Sequence, residues 1–168
     1  YFNSLNFTPF ESKQAFIDTV EKDLSDAAQA SVTLTLFQVD ELDITKPQGI
    51  CIDDQEPDCL VNHPDASLLQ LDPSEKVVEE QVFSHLLRSN CPVTGQPDWG
   101  TVFIRYRGKK PCYRSILAYI ISYRQHNGFH EQCVEQIFAD LWQTLQPEKL
   151  MVYATYTRRG GLDINPVR

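Results

Sequence analysis

No run of eighteen apolar residues occurs in this 168-residue chain, so no membrane-spanning helix is expected. No signal-peptide pattern is present. No Cys-x-x-Cys pair occurs, and the five cysteines (Cys51, Cys59, Cys91, Cys112 and Cys133) are odd in number and irregular in spacing. That pattern argues against a disulfide framework and against a structural zinc site, so no metal is assigned. Reduced thiols in the cytoplasm are the simplest reading. Cys133 lies on an apolar helical stripe and is expected in the core. Cys51 and Cys59 lie in a polar loop, where a disulfide between them is not favoured. There is no Gly-x-Gly-x-x-Gly, which excludes a Rossmann cofactor site. No motif interleaves aromatic and basic residues, and the net charge is −8, so a direct nucleic-acid partner is not expected.

What is present is an ordinary globular composition, 42% hydrophobic and 23% charged. The length allows one core, or one domain with part of another. The first residue is Tyr1 rather than Met, which suggests a fragment or a trimmed chain. Charge is divided unevenly. Residues 40–80 hold twelve acids and two lysines, whereas residues 81–168 hold eleven Lys or Arg and six acids. The acidic stretch reads as a solvated connector. The basic half suits an anionic ligand such as a phosphate-bearing cofactor.

Thr8-Pro9-Phe10-Glu11 predicts a helix start, with Thr8 as cap and Glu11 completing a capping box. Phe16, Val20, Leu24 and Ala27 then share a face. Val32, Leu34 and Leu36 alternate with Thr33 and Thr35, predicting a half-buried strand. Pro47, Gly49, Pro57, Pro64 and Pro73 make residues 40–80 loop-rich and place a domain junction there. Strands are expected over Glu80–Leu87 and Thr101–Arg107. A helix is expected from Pro111 to His126, and a second carries Phe129, Cys133, Ile137 and Leu141. A last strand carries Leu150, Val152, Ala154 and Tyr156. The class is therefore α+β, an antiparallel sheet with a pair of helices on one face.

The chemistry points to Asn90-Cys91-Pro92-Val93-Thr94-Gly95-Gln96-Pro97-Asp98-Trp99-Gly100. Two prolines and a glycine between the cysteine and the aspartate make a shaped loop. A thiol held there beside a carboxyl suits covalent catalysis, with Cys91 as nucleophile and Asp98 as proton donor. A buried structural thiol and a turn aspartate are the plainer alternatives. Gly128-Phe129-His130-Glu131 opens a helix, where N–H groups and the positive dipole end gather. Glu131 there either accepts bonds from N–H groups of a ligand or only complements the dipole. His130 is a ligand contact or a surface histidine, and Phe129 stacks on a ligand or begins the core stripe. Arg158-Arg159-Gly160-Gly161 pairs charge with permissive backbone, which suits phosphate or makes an exposed basic turn.

The segment His85–Gly100 resembles the active-site segment of the NADPH-dependent 7-cyano-7-deazaguanine reductases, the nitrile reductases of queuosine biosynthesis, in their long two-domain form. Tyr123–Cys133 and Tyr156–Pro166 resemble the same family in the same order, so that the three matches fall within about ninety residues. The resemblance implies tandem tunnelling-fold domains. Residues 1–39 would then be the end of a first domain, 40–80 the connector and 81–168 a second domain carrying the nucleophile. It implies four-electron reduction of a deazaguanine nitrile to the primary amine through a covalent Cys91 thioimide, with NADPH as cofactor. Asp98 would manage protons, Phe129, His130 and Glu131 would bind the substrate, and Arg159 and Gly160 would contact NADPH. A homodimer in the cytoplasm is also implied.

The family's Glu-Ser-Lys motif is expected ahead of Tyr1-Phe2-Asn3-Ser4, so Glu11-Ser12-Lys13 reads as part of a helix cap rather than as that motif. Two other classes compete. A zinc cyclohydrolase of related fold would need clustered ligands from Cys112, His126 and His85. A non-catalytic assembly module would leave Cys91 without unusual reactivity.

Overall fold

Ser12 starts the first helix. Its backbone is extended, and its hydroxyl accepts from the Ala15 amide at 3.1 Å. This satisfies one of the donors that every helix start leaves unpaired. Helix α1 accordingly spans Lys13–Ala28 and ends at Gln29 in the left-handed region (φ 52°). The cap expected at Thr8 is therefore corrected to Ser12. The structure, a computed structural model, describes residues 1–38, 41, 46–74 and 76–168.

Residues 31–38 form no strand, which corrects the expectation for Val32–Leu36. The alternation is real, since Val32 and Leu34 are half-buried. Their amides, however, bond to helix side chains rather than to a neighbouring strand. Val32 donates to Ser25 Oγ at 2.9 Å and Leu34 to Glu21 Oε1 at 2.8 Å. The chain divides into two compact units, Tyr1–Thr45 and Lys46–Arg168. The junction drawn between 39 and 40 lies outside the described residues.

The second unit is built on a sheet in the order β1 (Ile50–Cys51), β2 (Val77–Asn90), β3 (Pro97–Lys109) and β4 (Lys149–Tyr156). The last three are antiparallel neighbours, whereas β1 runs parallel to β2, so the sheet is mixed rather than wholly antiparallel. The strand that sequence places over Glu80–Leu87 is longer at both ends, because its hairpin partner offers a ladder from Lys109 back to Pro97. Val102, Ile104 and Tyr106 of β3 and Val152, Ala154 and Tyr156 of β4 point inward with the alternation expected of strands. On β2 a bulge between Ser84 and Leu87 shifts the inward positions from Val82 and Ser84 to Leu87 and Ser89. Phe83, Phe103 and Tyr153 are cross-strand partners on the other face, with ring centroids 5.9 and 5.5 Å apart.

Helices α2 (Tyr113–Ile121) and α3 (His130–Leu145) cover the inner face. Nearly every residue of α2 is buried, as a helix apolar all round requires. It gives way to a 3-10 turn at Ser122–Gln125, so the single helix expected over Pro111–His126 is shorter. On α3 the stripe Cys133, Val134, Ile137 and Leu141 enters the core. Ile52 and Leu69 join that core, although both lie in the stretch that composition marks as an acidic connector. No helix among the described residues is long and apolar enough to cross a membrane. Leu87, fully buried just after the bulge, anchors the new inward set. Leu87→Ala is expected to cost about 2–5 kcal/mol, read as a lower denaturant midpoint.

Candidate functional site

The bulge decides where β2 delivers its last residues. Ser89, now inward, is the cross-strand partner of Asp98, so Asp98 is also inward and only 2% exposed. Asn90, the last residue of β2 and the cross-strand partner of Pro97, also pairs with the segment before α3. Its amide donates to the His126 carbonyl at 2.8 Å, and its carbonyl accepts from Gly128 at 3.1 Å. That bridge brings the end of β2 to the start of α3. Cys91 is thereby set beside Phe129, His130 and Glu131, about forty residues later in the chain.

The loop from Cys91 to Gln96 closes on itself. Cys91 donates its amide to the Gln96 carbonyl at 2.9 Å, and its carbonyl accepts from Gly95 at 2.8 Å. Gly95 takes φ +69°, a region that disfavours any side chain. An open cavity of about 200 Å³ lies over this loop. Cys91, Asp98, Phe129, His130, Glu131 and Arg159 line it, together with Pro92, Gly128 and Ile164. Six of the seven residues singled out in the sequence thus meet in one place. Gly160 does not line the cavity and stands in the adjoining turn, where a Cβ would meet nothing within 4 Å.

Cys91 is 9% exposed, at the wall of the cavity. Its thiol is pulled down to about 6. The Thr94 hydroxyl contributes most, then the Arg159 guanidinium, then the Thr94 and Val93 amides, against a smaller opposing effect of burial. Cys133 shows the contrast. Burial in the core pushes that thiol up. The two cysteines therefore sit in opposite chemical states near neutral pH, one primed as a thiolate and one an inert thiol.

The Asp98 carboxylate lies between a histidine ring and a guanidinium. Oδ2 lies 3.3 Å from His130 Nε2, and Oδ1 lies 3.3 Å from Arg159 Nη1, without the alignment of a hydrogen bond at that oxygen. His130 is 6% exposed, and its ring stacks on Tyr156 with centroids 3.8 Å apart at 5°. A surface histidine is thereby excluded. Phe129 is 50% exposed at the helix start, its amide bonded to Gln132 Oε1 at 3.1 Å, so it lines the cavity instead of beginning the core stripe. Glu131 is exposed in the first turn of α3.

Arg159 reaches the site from a turn after β4 in which its amide and carbonyl both bond to Leu162. Its Nη2 donates to Gln96 Oε1 at 2.8 Å and to Thr94 Oγ1 at 3.3 Å. Thr94, Gln96 and Tyr156 were not singled out in the sequence. Thr94 and Gln96 lie inside the quoted loop and were legible as polar side chains beside the nucleophile. Tyr156 looks like one more core residue of an alternating strand.

The candidate zinc ligands are scattered over different elements. His85 faces Thr101 Oγ1 at 2.8 Å on β2, Cys112 caps α2, and His126 packs edge-on to Tyr123. No group of three metal-ligating side chains occurs among the described residues.

Comparison with known proteins finds similar chains. Residues 97–168 match the family of QueF-like proteins. All 168 residues align at 80% identity with the NADPH-dependent 7-cyano-7-deazaguanine reductase of Acinetobacter baumannii strain ATCC 17978, and the chain spans 62% of that protein's length. The reductases of the same name from Acinetobacter baylyi and Psychrobacter cryohalolentis are 75% and 52% identical, with 62% and 64% of their lengths covered. A crystal structure of the archaeosine synthase QueF-Like in the apo form superposes with a TM-score of 0.48 at 20% identity, over 58% of this chain and 93% of that one. Residues 97–168, which hold β3, α2, α3 and β4 with the cavity residues Asp98, Phe129, His130, Glu131 and Arg159, are thus the part that matches the QueF-like family, within a chain similar throughout to named reductases.

Proposed function

We propose that this chain carries the nucleophile of an NADPH-dependent 7-cyano-7-deazaguanine reductase. The observation that carries the reading is a thiol drawn down to about 6 on the wall of a 200 Å³ cavity, with a buried carboxylate on the same wall. The thiolate adds to the nitrile carbon and forms the C–S bond, while the nitrile nitrogen takes a proton, giving a thioimide on Cys91. Asp98, held between His130 and Arg159, takes up the proton that the Cys91 thiol gives up, passes it to that nitrogen and serves the later transfers. Reduction to 7-aminomethyl-7-deazaguanine consumes two hydrides and further protons, breaks the C–S bond and returns the thiol.

Substrate recognition falls to the start of α3. The Glu131 carboxylate accepts from the N–H edge of the deazaguanine, and Phe129, half exposed on the rim, offers a face for stacking. His130, fixed by Tyr156, keeps the Asp98 carboxyl in place.

The residues present fit NADPH at the turn after β4. Gly160 and Gly161 take φ +57° and +83°, and a Cβ on either would meet nothing within 4 Å, so the backbone there is open to a phosphate. Arg158 and Arg159 supply the charge, and Arg159 with Gly160 would make the cofactor contacts. When bound, NADPH supplies the hydrides. A homodimer in the cytoplasm, acting on the free base and not on nucleic acid, belongs to the same proposal, as does a tandem pair of tunnelling-fold domains. The assembly-module alternative loses ground because the Cys91 thiol is perturbed where the Cys133 thiol is not activated.

Mixing the intact protein with 7-cyano-7-deazaguanine in the absence of NADPH should add the mass of one nitrile per chain, at the peptide containing Cys91. NADPH should then discharge the adduct as the amine. No adduct at any pH between about 6 and 8 would remove this reading.

A further inference from the structure

Arg158 and Arg159 are neighbours in one turn and behave differently. Arg158 folds back on its own turn and pairs with Asp163 through Nη2 at 2.8 Å and Nε at 3.1 Å, with its side chain 66% exposed. Arg159 turns inward, is 31% exposed, and its side chain contacts Thr94, Gln96 and Asp98, all in the segment that starts at Cys91. A guanidinium that served only as a phosphate hook would have no need of Thr94, Gln96 and Asp98. Here its fork is shared among those three side chains, and its backbone is pinned by the two bonds to Leu162.

From this geometry we infer that Arg159 is the counter-ion of the Cys91 thiolate, with Thr94 and Gln96 as positioning residues that hold its guanidinium over the sulfur. The inference rests on the thiol chemistry proposed above and gives Arg159 a task separate from cofactor contact. The charges around the sulfur explain the need. Asp98 from β3 and Glu131 from α3 line the same cavity as the sulfur, so a thiolate there shares the site with two carboxylates. His130 is committed to Asp98 from α3, which leaves Arg159 as the permanent cation lining the cavity. Arg159 and Cys91 line the same cavity, and the contacts of Arg159 to Thr94 and Gln96 keep its guanidinium on the loop that carries the sulfur. Lysine would not replace it fully, because a single ammonium cannot meet Gln96, Thr94 and Asp98 together.

The test is the pH profile of Cys91 alkylation by iodoacetamide in the intact protein without cofactor, followed at the Cys91 peptide by mass spectrometry. The wild-type midpoint is expected near 6. Arg159→Gln should move it up toward an ordinary thiol and slow alkylation at pH 6 by about tenfold or more. Arg159→Lys should fall between the two. Gln96→Leu, an exposed loop change that leaves the core untouched, should raise the midpoint by a smaller amount even if an Arg159 variant fails to fold. An unmoved midpoint in a folded Arg159→Gln protein overturns the pairing, and an unmoved midpoint in Gln96→Leu overturns the positioning role. If the midpoint moves but the nitrile forms no adduct with the wild type, the pairing stands and the reductase reading fails. If the adduct forms and the midpoint stays, the pairing alone fails.

Discussion

Replacing Cys91 by alanine should abolish the covalent nitrile adduct and lower turnover by on the order of 10⁴-fold or more, the scale seen when a covalent nucleophile is deleted. No other cysteine can substitute. Cys133 is buried in the core and its thiol is pushed up, Cys51 and Cys59 are exposed and do not line the cavity, and Cys112 sits at the start of α2. Cys91→Ser should be nearly as inactive, because the hydroxyl is not ionised by the donors that suffice for a thiol. Non-covalent binding should survive in both variants, since Phe129 and Glu131 are untouched. The fold should survive as well, because the side chain lies at a cavity wall and removing one sulfur leaves the packed face of the sheet intact. Calorimetry with the nitrile, melting curves and intact mass separate these effects. A Cys91→Ala protein that still gained the nitrile mass would place the nucleophile elsewhere.

Much of the second unit was legible because its signals are local. The alternation of Val102, Ile104 and Tyr106 and the 3.6-residue spacing of Cys133, Ile137 and Leu141 each depend on the element's own period. What was not legible depends on partners. Val32–Leu36 has a strand's pattern, but α1 side chains take its amides. Ile50–Cys51 is too short to stand out, and it becomes a strand only because β2 offers a free edge. Ile52 and Leu69 look stranded among acids and prolines, yet both reach the core. Composition averages over such positions, and burial does not.

The site divides in the same way. Cys91 and Asp98 could be read from one loop, because the prolines and Gly95 between them shape it locally. Their union with His130, Glu131 and Arg159 requires the bulge at Ser84–Leu87 and the Asn90–Asn127 bridge, neither of which has a sequence signature. The resemblance to a reductase family supplied those members of the site where physics alone left alternatives. It did not supply Thr94 and Gln96, whose roles appear only once Arg159 is seen to cross the loop.

Asp98→Asn should slow adduct formation by about 10²–10⁴-fold, the usual contribution of a positioned proton donor. The replacement is nearly isosteric, so cavity and hairpin should persist, and Ser89 keeps its cross-strand partner. The amide cannot take up the thiol's proton and pass it to the nitrile nitrogen as the carboxylate does. It also cannot present an oxygen to both His130 Nε2 and Arg159 Nη1, because one of its two ends is a donor. The alkylation profile of Cys91 distinguishes this from general damage. Removing a negative charge from beside the sulfur favours the thiolate, so the midpoint should stay near 6 or fall below it. Arg159→Gln moves the same midpoint upward. A protein with a more reactive thiol and a much slower nitrile reaction is what a lost proton donor predicts. Should Asp98→Asn raise the midpoint and slow alkylation and adduct formation equally, the carboxylate would be a scaffold for the loop and not the source of the proton.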